Sequence, residues 1–228
     1  MRIKSIVCGL CLIGTTVLGQ VGTWQAQFKG IGQKAIGFGY MTFNSDGSMT
    51  GYNMATGLFG VGAMTGTWSV ADSVITVSFT EGTEGQSETG TIVAKLKATS
   101  MRGTTYFQDG SRYSLRAAPG TPTTPGTGTF SGLVKSGHTV ESETFTSTAD
   151  STFPGVSDTV GTVNGEAGYG QAIEEPNGII IGYGIVEIGV DETLGTAFTG
   201  KYNARTGKLT TKGVDQDGDK VSSVFQKE

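Results

Sequence analysis

Three observations predict an all-β protein made of antiparallel strands. Glycine occupies 38 of the 228 positions, a density that weakens helices, while the Thr, Val and Tyr around the glycines favour pleated sheet. Apolar and polar residues alternate with period two, as in Ile75, Val77 and Phe79. Turn signals such as residues 45–48 and 109–111 separate these runs. The pattern is typical of an antiparallel meander, either an up-and-down barrel or a sandwich.

Residues 1–19 have the layout of a secretory signal peptide. Arg2 and Lys4 form a charged start, and residues 6–18 form an apolar core shorter than the roughly 20 residues that span a bilayer. Small side chains then precede Gln20, so we expect cleavage near Gly19 and export to the periplasm or beyond the cell. A retained membrane anchor is the alternative.

Cleavage would remove both cysteines, Cys8 and Cys11, neither of which follows the small-residue motif of a lipoprotein. The mature protein would then have no disulfide, thiol nucleophile or thiolate metal site. It would also lose two of the 16 basic residues, so the net charge of −4 would become about −6. Dispersed acidic charge disfavours nucleic acid as a partner. No later segment has the composition of a transmembrane helix, so we expect a soluble protein, and no motif calls for a cofactor.

A Pro/Gly/Thr-rich linker is predicted at residues 119–127, where three of the five prolines cluster without an apolar pattern. On either side lie about 100 residues, enough for a small domain. We therefore expect one β domain at 20–118 and a second, of unknown family, at 128–228. The alternative is one larger barrel or sandwich with this stretch as a surface loop.

Both tryptophans, Trp24 and Trp68, follow a Gly-Thr pair, and each is expected to open a strand. The first Gly-x-Trp, the glycine-punctuated meander and the closing run 109–116 together resemble a bacterial lipocalin-like domain over about residues 20–118. The resemblance implies an up-and-down barrel with Trp24 plugging its closed end and Arg112 or Arg116 stacked over the indole. The repeat at Trp68 departs from that family and also fits a pair of similar hairpin sheets.

An uncharged apolar run at residues 56–64 predicts either a bent core strand or the wall of an apolar pocket. In the second case Phe59, with Met41, Met54 and Met64, would line the site, because methionine adapts to irregular ligands.

Catalytic candidates are few. His138, the one histidine, lies in a turn-like segment with no obvious partner. Glu141 with Glu143, and Glu174 with Glu175, are carboxylate pairs of the kind that glycoside hydrolysis uses, but such pairs in strand-rich proteins are more often solvated. We predict no catalytic residue.

One string resembles the start of a calcium loop, with carboxylates at Asp215, Asp217 and Asp219. The pattern is incomplete, because glycine falls at the fourth position, Lys220 at the sixth, and Gln226 at the twelfth, where a bidentate Glu belongs. A polar hairpin tip explains the same residues, so we predict no metal, and calcium binding by the three aspartates is the alternative.

Three functions are consistent with these observations. We favour an exported, noncatalytic β-barrel protein that binds a small apolar ligand. The alternative is a structural or interaction protein of the envelope or extracellular space without a ligand pocket. A secreted carboxylate-dependent hydrolase is the third, and we expect the protein not to be an enzyme.

Overall fold

The computed structural model describes residues 20–56, 60–83, 86–123, 126–189 and 192–228. These residues form two closed antiparallel barrels of eight strands each and contain no helix, which confirms the all-β prediction. Within the described part of the chain no helix could cross a membrane. The predicted signal peptide and both cysteines lie outside the described residues.

Each strand of the first barrel pairs with its sequence neighbours, and the last pairs back with the first, as an up-and-down meander requires. Its strands are β1 (Gly22–Gly30), β2 (Ile36–Phe43), β3 (Ser48–Ala55), β4 (Gly62–Ala71), β5 (Val74–Thr83), β6 (Gln86–Lys97), β7 (Ser100–Phe107) and β8 (Arg112–Pro119).

The second barrel repeats this topology and closes by pairing β16 with β9. Its strands are β9 (Gly128–Ser136), β10 (Thr139–Ala149), β11 (Val156–Val163), β12 (Glu166–Glu174), β13 (Ile179–Gly189), β14 (Glu192–Asn203), β15 (Lys208–Asp215) and β16 (Lys220–Lys227).

The interior of the first barrel is filled by side chains. Period-two alternation turns one residue in two inward, and the inward set forms one buried cluster. Trp24 is 2% exposed and donates its indole N–H to the Gln20 carbonyl oxygen at 3.0 Å. Trp68 donates in the same way to the Asn44 carbonyl oxygen at 3.0 Å, and its ring packs against Phe43. Both indoles are thereby buried with their polar group satisfied.

The second barrel is packed only at one end. There the rings of Phe130 and Phe145 stack with centroids 5.2 Å apart, Phe145 meets Phe225 edge-on at 5.0 Å, and Tyr202 contacts Phe130. These four rings form an aromatic floor across the barrel.

The two barrels contact each other through outward-facing side chains. Phe38, Tyr40 and Met54 of the first barrel share a buried cluster with residues on the outer faces of β11, β12 and β13. Two polar contacts cross the same junction: the Tyr52 hydroxyl donates to the Pro154 carbonyl oxygen, and the Gln27 amide donates to Glu175 Oε2 at 2.8 Å. The connecting segment is bonded as well, since Thr123 Oγ1 donates to the Glu174 carbonyl oxygen at 2.9 Å.

Candidate ligand cavity in the second barrel

A cavity of about 380 Å³ occupies the lumen of the second barrel beyond the aromatic floor. It lies toward the end where the chain turns after β9, β11 and β15, because Ser136, Val163 and Asn164 belong to its lining. Ile188, which also lines it, is 46% exposed at this rim. The lumen is therefore closed below by aromatic rings and accessible from above.

Strand alternation determines which side chains enter this lumen. On β10 the inward positions are Glu141, Glu143 and Phe145. The remaining walls combine aliphatic and aromatic surface with hydroxyl groups, contributed by Val134, Val186, Leu194, Phe198, Leu209, Val221 and Phe225 and by Ser136, Thr159, Thr196, Thr211 and Ser223. Thr211 and Ser223 satisfy each other through a hydrogen bond of 2.5 Å.

Glu143 is a polar group of this cavity whose pKa is strongly raised. Burial raises the pKa of its carboxyl group from 4.5 to about 7. Among the described residues, no hydrogen-bond donor or cation compensates this carboxyl group. Near neutral pH it is therefore divided between the acid and the carboxylate, and any charge it carries is poorly solvated.

Glu141 faces the same lumen two residues before Glu143, about 7 Å along the strand. Glu166 adds a third carboxyl group near the rim. No Lys, Arg or His is found among the described residues that line the cavity. A group of carboxyl groups without a basic neighbour is suited to holding a cation.

The methionines predicted to line a ligand site lie elsewhere. Met41 and Met64 are 0% and 2% exposed inside the packed first barrel, whereas Met54 lies on the outer face of that barrel in the contact between the two. These three residues do not share one cavity wall with each other or line the second-barrel lumen. Phe59 lies outside the described residues.

The expected stack of an arginine over Trp24 is not formed. Leu115 and Ala117 point into the first barrel, so alternation turns Arg112 and Arg116 outward, where both are exposed. Trp68 also corrects an expectation, because it is the seventh of the ten residues of β4 and does not open that strand.

Asp215, Asp217 and Asp219 belong to the hairpin between β15 and β16. Asp215 Oδ1 accepts the backbone N–H groups of Asp217 and Asp219 at 3.1 and 2.8 Å, and its Oδ2 accepts the Ser136 hydroxyl at 3.2 Å. The other two carboxylates are exposed, and no cluster of three potential metal ligands occurs among the described residues. This bonding is that of a side chain stabilising a turn.

His138 and the pair Glu174 and Glu175 lie in different parts of the molecule, away from the lumen of the second barrel. His138 is exposed in the turn between β9 and β10. Glu174 and Glu175 lie at the junction of the barrels, where Glu174 Oε2 accepts the Gly126 N–H at 3.0 Å and burial raises the pKa of both carboxyl groups. Of the pairs considered from sequence, Glu141 and Glu143 are the one that enters the lumen of the second barrel.

The aromatic and aliphatic walls of the lumen were not predicted. One signal was available in the sequence, since Phe145 alternates with Glu141 and Glu143 and therefore shares a strand face with them. The structure shows that this face is the inner one, because Ser147, the next residue on it, is buried.

No protein-family model and no curated protein matches this chain. Three solved structures are similar over most of its length. A protein of unknown function from the DUF3598 family of Nostoc punctiforme is 11% identical, with a TM-score of 0.30, over 92% of this chain and 97% of that one. The Burkholderia oklahomensis agglutinin is 8% identical, with a TM-score of 0.21, over 93% and 99%. Transferrin binding protein B of Haemophilus parasuis is 13% identical, with a TM-score of 0.23, over 85% and 52%. At TM-scores below 0.5, none of these similarities assigns a family or a function to the chain.

Proposed function

We propose that this chain is a noncatalytic binding protein that holds a small, largely apolar ligand bearing a positively charged amine in the lumen of its second barrel. The observation that carries the proposal is the open cavity of about 380 Å³, lined by Glu141, Glu143 and Glu166 with no basic residue among the described lining. Ligand pockets typically measure about 300–1,000 Å³ and combine apolar walls with a few polar groups, as this one does.

The apolar body of the ligand would rest on the aromatic floor. Phe145, Phe198 and Phe225 line the deep part of the cavity, and Leu209 completes its wall. Ring faces attract cations as well as apolar groups, so these side chains also suit an organic ammonium ion. The upper part of the cavity, where the carboxyl groups lie, would receive the amine.

The carboxyl group of Glu143 is the reason why we propose a positively charged ligand. A half-buried carboxylate that has no partner is poorly solvated, and an amine placed against it would form a charge-assisted hydrogen bond. A neutral ligand of the same shape would leave that carboxylate uncompensated. The cavity therefore favours the amine over its neutral analogue.

The distribution of charge over the whole chain favours the same kind of ligand. Residues 128–228 contain seven basic and fourteen acidic residues, whereas residues 20–118 contain seven and six. The excess negative charge of the mature protein thus belongs to the second barrel, whose field would draw cations toward the lumen.

We also propose that the protein meets this ligand outside the cytoplasm, on the signal-like pattern of residues 1–19. Expression of the full chain in a bacterial host, followed by intact mass measurement of the periplasmic and cytoplasmic fractions, tests this. A periplasmic product that begins near Gln20 is expected, and an uncleaved cytoplasmic product would contradict export.

The binding proposal is tested by calorimetric titration with 2-phenylethylamine and with its neutral isostere 2-phenylethanol. The amine is expected to bind more tightly to the wild type, and Glu143→Gln is expected to weaken amine binding about tenfold or more with little effect on the alcohol. Amine binding should also tighten from pH 5 to pH 8, as Glu143 loses its proton. Glu187→Gln is the matched control, because Glu187 is exposed on the outer face of β13.

Native mass spectrometry of the purified protein would reveal a ligand carried from the host. Thr196→Phe fills the lumen, whereas Thr193→Phe adds the same ring to an exposed position on the same strand. Loss of binding in the first variant alone would support the cavity. Equal binding of amine and alcohol to wild type and Glu143→Gln would contradict the charged ligand, and no binding of either probe together with a bare native mass would favour a structural role.

A further inference from the structure

A row of basic side chains crosses the outer face of the first barrel. Lys95 on β6 is directly opposite Arg102 on β7, which is directly opposite Arg116 on β8, and Arg116 is opposite Gln27 on β1. All three basic side chains are exposed. Adjacent strands lie about 4.8 Å apart, so the row places three positive charges within about 10 Å.

This arrangement is unfavourable for the isolated protein. Like charges directly opposite each other on neighbouring strands repel and destabilise the sheet. Arg102 and Arg116 form no ion pair or hydrogen bond with any described residue. The row therefore holds uncompensated charge in a protein whose net charge is negative.

The two arginines also belong to the wall of a groove of about 400 Å³ at the junction of the barrels. Gln25 and Gln27 of β1 extend that wall, and residues 175–177 of the second barrel cover it. Glu175 is 6% exposed and accepts the Gln27 amide at 2.8 Å, so its carboxyl group is bound to the amide and not to an arginine. The guanidinium groups remain open to an outside partner.

We propose that this groove binds a small oxyanion, a phosphate or a group of the same shape, between Arg102 and Arg116. A guanidinium group presents N–H donors in a planar fork that matches the paired oxygens of such an anion. Lys95, next in the row, adds a point charge without a fixed geometry. The anion would supply the counter-charge that the protein itself does not provide.

The test uses the whole protein with two probes that differ in the source of the phosphate. Inorganic phosphate is titrated calorimetrically, and vesicles of phosphatidylcholine with and without phosphatidylglycerol are tested by co-sedimentation. The double variant R102Q/R116Q is compared with Arg112→Gln, which removes one positive charge from an exposed position on β8 that does not line the groove. We expect R102Q/R116Q to weaken binding at least tenfold and Arg112→Gln to change it less than twofold.

Circular dichroism at low salt separates lost binding from lost folding. Because the row is self-repulsive, R102Q/R116Q should be at least as stable as the wild type. Free phosphate binding that depends on the two arginines supports a soluble ligand, and vesicle binding with the same dependence supports a lipid headgroup as the source of the oxyanion. If Arg112→Gln weakened binding as much as R102Q/R116Q, binding would depend on general surface charge, and the proposed site would be wrong. A wild type that binds neither probe at millimolar concentration would also overturn the proposal.

Discussion

Glu143 shows how one half-buried residue in a desolvating lumen can lower stability and yet favour binding. Its pKa rises to about 7 because the lumen desolvates the carboxylate and no described group compensates it. The folded protein therefore binds the proton of Glu143 more tightly than the unfolded chain does, whose pKa is near 4.5. The linkage relation then makes this residue's contribution to stability fall as pH rises from about 4.5 to about 7.

Glu143→Gln should remove this pH dependence. The variant and the wild type are expected to have similar unfolding free energies at pH 4, where the glutamate is mostly protonated in both states. At pH 8 the variant should be more stable by about 1–3 kcal/mol, because the amide bears no charge to desolvate. Urea denaturation at both pH values measures the difference. A variant that is less stable than the wild type at pH 8 would contradict an uncompensated carboxylate, and Glu187→Gln should show no such change.

The sequence identified several candidate residues but did not show which face of a strand each one occupies. Glu141 and Glu143 were recognised as a pair, but whether they faced water or a lumen depended on the alternation of the whole strand. Met41, Met54 and Met64 were grouped by type, yet barrel closure places Met54 on the opposite side of the wall from the other two. A side chain's face depends on register, which a short motif does not contain.

At the scale of the strand, two glycines, one in each barrel, differ in the space around them. A Cβ built on Gly66, inside the first barrel, would overlap the Ser78 carbonyl oxygen and lie 2.8 Å from Phe79 Cα. A Cβ built on Gly184, in the wall of the second-barrel lumen, would meet nothing within 4 Å. The first glycine allows close strand approach, and the second contributes to the free space.

The same substitution at these two positions should therefore have different effects. Gly66→Ala is expected to destabilise the protein by about 1–3 kcal/mol, because the neighbouring strand must shift. Gly184→Ala should be neutral or stabilise by up to about 1 kcal/mol, since it fits and reduces the freedom of the unfolded chain. Thermal denaturation of both variants checks the contrast. Equal destabilisation would indicate that the second lumen is packed and would argue against a ligand cavity there.

Strands were the most predictable elements. Alternation at Ile75, Val77 and Phe79 identified β5 because the period of a half-buried strand is local. The sequence did not decide whether the strands close into a barrel or form a sandwich. The pairings that close the barrels, β1 with β8 and β9 with β16, join residues about 90 positions apart, and no local pattern reports them. The outward position of Arg116 follows from the inward position of Leu115, so the alternation of β8 argues against the stack over Trp24 that the lipocalin resemblance implied.

At the scale of the molecule, the two barrels share part of their buried surface. Phe38 and Tyr40 on the first barrel pack with Ile173 and Ile181 on the second, although each barrel closes its own hydrogen-bond ladder. The prediction of two separate domains rested on the proline-rich connection and did not include a contact between them. The apolar residues that join them lie on outer strand faces, where sequence patterns predict solvent.

Ile181 tests how strongly this contact couples the barrels. It is 1% exposed on the outer face of β13, so Ile181→Ala should destabilise the protein by about 2–4 kcal/mol through lost burial and the cavity left behind. Because the contact is shared, the loss should also separate the unfolding of the barrels, turning one calorimetric transition into two. Val224→Ala, at a side chain that is 51% exposed, is the control and should leave a single transition. If the wild type already unfolds in two independent steps, and Ile181→Ala leaves them at the same spacing, the contact does not couple the stability of the two barrels.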